Sequence, residues 1–391
     1  MNQFGTTENP AGQGTPAVRL NSCRVLEKQN SLGHDLTVID WQSHQEFHLT
    51  IRPLPGEKPV GIIRRLAAML EGRDASIVRQ EIFGSIAAHP ETMRALQHEF
   101  GNVDWPLTWV EGSGSGNGSI AGMHIFALTG ARVDTIRQKG RMVGRVFNDG
   151  YSRHCFLGNL VPTNPSASKS AQSRDMFEQM EQGLLETGMD MTNVVRTWLF
   201  LDDILSWYGE FNGIRTGFFR EKKLLTGLLP ASTGIGGRNP AGAAMVGGAW
   251  AVQAVDNSVV VRAVPSPLQC SSLEYGSAFS RAVMVDTPAG RRLSISGTAS
   301  IEPDGRSAHV GDLRKQIALT MGVANAILAS RGFNFSDVTR ATAYFKNIQD
   351  APVFDAWRKE QKVEPFSLVV TESTICRDEL LFEIELDAIT F

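Results

Sequence analysis

Cysteine is scarce: the 391-residue chain has four, far apart at Cys23, Cys155, Cys270 and Cys376. They form no CxxC pair, which argues against a zinc site and a disulfide framework and fits a reducing compartment. An excess of one charge is also lacking, since 38 basic and 41 acidic side chains leave a formal charge of −3. The basic residues are scattered rather than aligned in a phosphate-tracking stripe, so nucleic acid is not an expected partner. Long apolar runs are absent too. The most apolar stretch, Ala241 to Val255, is too short and too rich in glycine and alanine to span a bilayer, and reads as a buried strand. The polar segment 1–18 has neither a basic n-region nor an apolar core, so it reads as a flexible tail rather than a signal peptide. These features describe a soluble, cytoplasmic protein with no membrane partner. What is present is a core: 42% of residues are hydrophobic and 20% charged, in a chain long enough for two or three domains.

The chain repeats itself. AAMLEGRDASIVRQEIFGS, QGLLETGMDMTNVVRTWLFLDD and AILASRGFNFSDVTRATAYFKN each combine a helical pattern with a terminal glycine (Gly72, Gly188, Gly332) and a β-rich run centred on an arginine (Arg79, Arg196, Arg340). A glycine just past an apolar-periodic helix supplies the left-handed residue that ends it. The β-branched and aromatic residues that follow favour strands. Downstream, each copy continues with a second helical stretch, a proline entering a strand (Pro106, Pro230, Pro365), a loop and a closing apolar strand. Upstream of each first helix lie strand-like runs: FHLTIRP, HCFLGNLVP and RRLSISGTASI. The module therefore reads β-β-α-β-α-β, with helices on one face of a mixed sheet. Packing the three open faces around a pseudo-threefold axis buries them. The expected boundaries are a tail over 1–18 and modules over 19–130, 131–262 and 263–391.

The third copy carries a resemblance that can be named. GSAFSRAV, SISGTASI, HVGDLRKQ, MGVANAILASRGF, VTRATAYFKN and CRDELLFEIELDA together resemble a Rid-family (RidA/YjgF, L-PSP) module from end to end. The middle copy is similar over VVRTWLFLDDILSWYGEFN, and the first is inferred mainly from the repeat. The resemblance implies an α+β fold of three Rid-like (chorismate-mutase-like) modules forming an intramolecular pseudo-trimer, with small-molecule pockets between modules. RTW, PASTGIG and a module ending R-x-x-LL-x-EIE also resemble the chorismatases of that superfamily, multi-module enzymes that cleave chorismate.

Family deaminases hold a substrate carboxylate with an arginine two residues after the proline, a bidentate fork. Here those positions are Thr108, Ser232 and Ser367, which weakens imine or enamine deamination because serine supplies no cation. Glu383 and Glu385 alternate with apolar residues, so both point to one face of a strand. Glu383 matches the first Glu of the family's EIE signature and is the candidate acid/base, since a half-buried carboxyl can titrate near neutral pH. Arg377 is the candidate replacement cation. Phe279, Ser296 and Gly297 match the family's pocket edge. Arg196, Arg340 and Glu385 complete the set of candidate binding residues. Arg281 adjoins that edge, whereas Cys376 reads as inert packing and Trp198, Trp207 and Tyr208 as core or interface.

Other motifs fail on context. Glu111–Ser119 contains a GxGxxG-like run that opens a strand, leaving no helix N-terminus to hold phosphate. His44 and His48 lie on a strand, about 13 Å apart, too far to share a metal. The expected function is that of a Rid-superfamily hydrolase or lyase acting on a small carboxylated metabolite, with no metal or organic cofactor. Chorismatase-like cleavage, imine deamination and non-catalytic metabolite binding are the alternatives. One chain can complete the ring as a monomer, and further oligomerisation is left open.

Overall fold

The computed structural model describes residues 23–114 and 118–391. The expected tail, and part of the glycine-rich run Glu111–Ser119, lie outside the described residues. The first module holds β1 (Arg24–Ser31), β2 (His34–Asp40), β3 (Gln45–Ile51), α1 (Pro59–Leu70), β4 (Ser76–Gly84), α2 (His89–Phe100), β5 (Leu107–Val110) and β6 (Ile120–Thr129). The second holds β7 (Val133–Gln138), β8 (Arg141–Asn148), β9 (Ser152–Leu160), α3 (Lys169–Leu185), β10 (Val194–Leu201), α4 (Tyr208–Glu221), β11 (Ala231–Gly236) and β12 (Met245–Ala254). The third holds β13 (Val260–Val264), β14 (Ala282–Asp286), β15 (Arg291–Ala299), α5 (Leu313–Ala329), β16 (Val338–Phe345), α6 (Ala351–Glu360), β17 (Leu368–Glu372) and β18 (Phe382–Thr390).

Each module is one six-stranded sheet with the same topology, β1-β2-β3-β6-β4-β5 and its two equivalents. Only β4–β5, β10–β11 and β16–β17 pair in parallel. An outer strand (β1, β7, β13) extends each sheet beyond the four strands of the β-β-α-β-α-β pattern, and the short strand after the proline extends the other side. β13 straddles position 262 and pairs with β14, so the third sheet starts at Val260.

Local rules account for the elements. α1 begins at Pro59 and buries Ile62, Ile63, Leu66 and Leu70 along one stripe, the spacing that lays an apolar face on a sheet. α3 and α5 are capped by Ser168 and Asp312, whose side chains accept from backbone N–H groups of the first turn. Gly72, Gly188 and Gly332 share φ values of 71°, 74° and 73°, a left-handed stop open to glycine at no steric cost.

Each sheet buries one face against its own two helices. The three opposite faces meet in a common core. Phe83, Phe200 and Tyr344 occupy equivalent positions in the three modules. The Phe83 ring lies edge-on to both others, with centroids 6.0 and 6.1 Å away. The repeated arginines converge on the same axis. The guanidinium carbons of Arg79, Arg196 and Arg340 lie 3.3, 5.1 and 5.4 Å from the Trp198 ring centre. A register shift precedes each of them, at Ile77/Arg79, Val194/Arg196 and Val338/Arg340. Such a bulge turns the next side chain off the regular alternation, and here it turns three cations inward. Among the described residues, no helix is long and apolar enough to cross a membrane.

Candidate active site

The modules meet edge to edge. At the second–third seam β11 runs beside β15. Ser232 N–H donates to Ser296 Oγ (2.8 Å), Ser280 N–H to Pro230 O (2.9 Å) and Gly297 N–H to Thr233 Oγ1 (3.1 Å). Beyond these bonds the seam widens into a cleft of about 200 Å³. Tyr208 and Arg215 of α4 form one wall, and Tyr275, Phe279 and Arg281 form another. Gly297, Cys376, Arg377 and Glu383 close the rest.

Glu383 is 4% exposed and accepts no hydrogen bond from any described residue. Burial, and then the neighbouring Glu385 carboxylate, push its carboxyl up to about 8. It is therefore protonated at neutral pH, an acid presented to the cleft. Its space depends on Gly297: a Cβ there would lie 2.1 Å from Glu383 Oε1. The Cys376 thiol is pushed up to about 12 by burial, so it stays a thiol and is no nucleophile near neutral pH. Burial raises the Tyr208 and Tyr275 phenols as well.

Three guanidiniums line the same cleft, and none has a carboxylate partner among the described residues. Arg215, 1% exposed, donates to Asn212 Oδ1 (2.8 Å) and leaves its Nε unpartnered. Arg281 donates from Nε to Cys270 O (3.0 Å), and its Nη2 has no partner. Arg377 donates to Gly305 O (2.8 Å) and Ser307 Oγ (3.3 Å). Arg215 and Arg281 are buried and Arg377 half-buried; buried cations without counter-ions are costly, and a cleft lined by three guanidiniums suits a substrate with more than one negative charge.

The candidates named from sequence fall into two groups. Glu383, Arg377, Phe279 and Gly297 line the cleft. Ser296 underpins it, accepting from Ser232 N–H and donating to Ser280 O (2.6 Å). Glu385, Arg196 and Arg340 instead form the axial cluster. Arg196 donates to Glu385 Oε2 (2.6 Å) and Arg340 to Oε1 (2.6 Å), with Tyr344 on the same oxygen (3.2 Å). The Thr233 hydroxyl completes the shell. Two guanidiniums hold the Glu385 carboxyl well below the usual range despite burial. Arg340 also bridges to Glu81 (2.6 Å), itself paired with Arg79.

Two residues that sequence reasoning left out belong to the cleft, Arg215 and Tyr275. Arg215 had a signal: it shares the buried face of α4 with Phe211, Phe218 and Phe219, and a cation on an apolar stripe needs a reason. Tyr208, read as core or interface, lines the cleft from the start of α4. Ser232, the position where family deaminases carry arginine, also faces it. His44 and His48 both bond Glu46 rather than a shared metal (3.3 and 3.1 Å). No group of metal-ligating side chains occurs among the described residues.

Comparison with known proteins gives this geometry a context. Residues 271–390 match the family model described as Endoribonuclease L-PSP. The third module is a Rid/L-PSP domain. The 3-hydroxybenzoate synthase of Streptomyces hygroscopicus is 26% identical over 257 residues, covering 59% of this chain and 72% of that protein. A crystal structure of chorismatase superposes with a TM-score of 0.62 at 17% identity, covering 82% of this chain and 94% of that one. At that identity the likeness is one of fold, and it extends well beyond the Rid/L-PSP domain.

Proposed function

We propose that the protein is a chorismatase-like enzyme that cleaves the enolpyruvyl ether of chorismate, with Glu383 as the acid. One observation carries this reading. A buried carboxyl that keeps its proton at neutral pH shares a cleft with three arginines that lack counter-ions. Chorismate bears two carboxylates, one on the ring and one on the enolpyruvyl arm, and Arg215, Arg281 and Arg377 supply cations for both. The relatives support the same direction, since one is named a 3-hydroxybenzoate synthase and another a chorismatase.

The step balances with the residues present. The Glu383 carboxyl gives its proton to the terminal methylene carbon of the enol ether. The oxygen-bearing carbon becomes an oxocarbenium ion, stabilised by the ether oxygen's lone pair and by the carboxylate now left on Glu383. Water adds to that carbon and gives a proton to the Glu383 carboxylate, and the resulting hemiketal collapses to pyruvate as its hydroxyl proton passes to the departing ring oxygen, leaving the ring diol. An acid near pH 8 suits protonation of carbon at neutral pH, because it is loaded yet not far from its working range. Deamination of imines is less well served, because Ser232 and not arginine stands at the deaminase position.

A paired assay of purified wild type and Glu383→Gln tests this. One arm uses chorismate and follows pyruvate, and the other uses a fresh 2-imino acid and follows ammonia. Wild type is expected to release pyruvate, with a loss in the variant of about 10²–10⁴-fold. Ammonia release without pyruvate, or an unimpaired Glu383→Gln, would sink the proposal.

A further inference from the structure

The arginine cluster on the pseudo-threefold axis lies outside the cleft, yet it ends against the cleft's acid. Glu383 and Glu385 share one face of β18, with Cα atoms about 6.6 Å apart at strand spacing. Arg196, Arg340, Thr233 and Tyr344 all bond Glu385, and none of them bonds Glu383. Thr233 joins the two regions. Its Oγ1 accepts from Arg196 (2.7 Å) and from Gly297 N–H (3.1 Å), and its hydroxyl donates to Glu385. Gly297 is the residue whose missing side chain leaves room for the Glu383 carboxyl.

We propose that the axial cluster is part of the cleft's working machinery: Glu385 is a positioning residue that stands as a fixed carboxylate behind Glu383, and Thr233 carries the same restraint to the Gly297 backbone. This rests on the reading of Glu383 as the acid. Two carboxylates this close in a dry interior do not both ionise readily. The one with cations keeps its charge, and the other keeps the proton. Glu385 has two guanidiniums, so Glu383 is left as the acid.

The other groups around Glu383 do not reverse this. Its own strand brings Glu385, and β10 brings Arg196, whose guanidinium is engaged by Glu385 and Thr233. On β16, Arg340 and Tyr344 also bond Glu385. β11 and the Ser296–Ala299 end of β15 bring no charged side chain. From the cleft walls Tyr208, Tyr275 and Cys376 are neutral near pH 7, and the charge that favours ionisation of Glu383 is Arg196. Burial and Glu385 outweigh it. All three modules contribute to the cluster: Arg79 and Glu81 from the first, Arg196 and Thr233 from the second, and Arg340, Tyr344 and Glu385 from the third.

Infrared titration of the full chain without substrate tests the proposal. The difference between wild type and Glu383→Gln isolates the protonated-carboxyl band of Glu383, expected to vanish with a midpoint near pH 8. In a Glu385→Gln background the midpoint is expected to fall by at least one pH unit. The alkaline limb of kcat/KM for chorismate is expected to move with it. A midpoint that stays in place overturns the proposal. If Glu385→Gln does not fold, as judged by circular dichroism, Glu385→Gln/Arg340→Gln removes one charge of each sign and carries the same expectation. Loss of folding in both assigns the cluster to stability alone and also overturns it. A shifted band in a protein that never turns over chorismate would reject the reaction and leave the cluster's role standing.

Discussion

Glu383 is held in a state that burdens the fold. An unfolded glutamate titrates near about 4.3, whereas this one is pushed up to about 8 by burial and by Glu385. Between those values the folded chain keeps a proton that the unfolded chain has lost. Stability is therefore highest below about pH 4.3 as far as this group is concerned, declines as pH rises toward 8, and levels off beyond. The loss is on the order of 4–5 kcal/mol. Glu383→Gln has no such titration, so it is expected to be more stable than wild type at pH 8, with the gap closing toward pH 5. Urea unfolding at the two pH values measures this, and a pH-independent gap would show that another group titrates. Arg215 makes the parallel case for a cation. Arg215→Met replaces an unpaired buried charge by an apolar chain of similar length, so Tm is expected to hold or rise while KM for chorismate rises about tenfold or more. An unchanged KM would remove Arg215 from substrate binding. At this scale the sequence was legible where chemistry and register coincide on one strand, as at Glu383. It was less so where a residue such as Arg215 reaches the cleft from a helix of a different module.

Among the elements, strand irregularities place the side chains that matter. The shift before each of Arg79, Arg196 and Arg340 aims three cations at the axis. A fourth shift, between Ile295 and Thr298 where β15 meets β18, lies at Ser296-Gly297 and opens the cleft. Gly297 does not adopt a left-handed conformation there, so its requirement is space. Gly297→Ala is expected to leave the fold intact and lower kcat at least tenfold by displacing the Glu383 carboxyl. Gly322→Ala is the control: it lies inside α5, and an added Cβ meets nothing within 4 Å. That change is expected to keep full activity and gain up to about 1 kcal/mol from helix propensity. Equal loss of activity in both variants would refute the spatial argument. Helix ends and central strands were readable because apolar periodicity and terminal glycines repeat three times. β1 was not, because its side chains are almost all exposed, leaving no alternation to read. Nor do bulges announce themselves in composition.

Across the whole molecule, threefold repetition makes the one working cleft an asymmetric outcome. The position facing Tyr344 on the partner strand is Glu383, but the positions facing Phe200 and Phe83 are Val246 and Gly122. Of these three equivalent positions, only the third module's carries an acid. The second residue within the strand irregularity is Gly297 in the third module and Asn159 in the second. At the second seam Asn159 N–H is bonded to Thr108 Oγ1 (2.9 Å). The cleft also draws Tyr208, Arg215 and Ser232 from the second module and Glu383 from the third, so neither suffices alone. Splitting the chain at the exposed turn 256–258, before β13, separates these contributions without cutting a sheet. The C-terminal piece by itself is expected to release no pyruvate from chorismate. Co-expressed with residues 1–256, it is expected to copurify and recover activity, because the common core of three sheet faces remains to be buried. Size-exclusion chromatography with a pyruvate assay reads both results. Activity in the isolated C-terminal piece would mean that the third module completes a site with copies of itself, and that the arginine on α4 is not part of it.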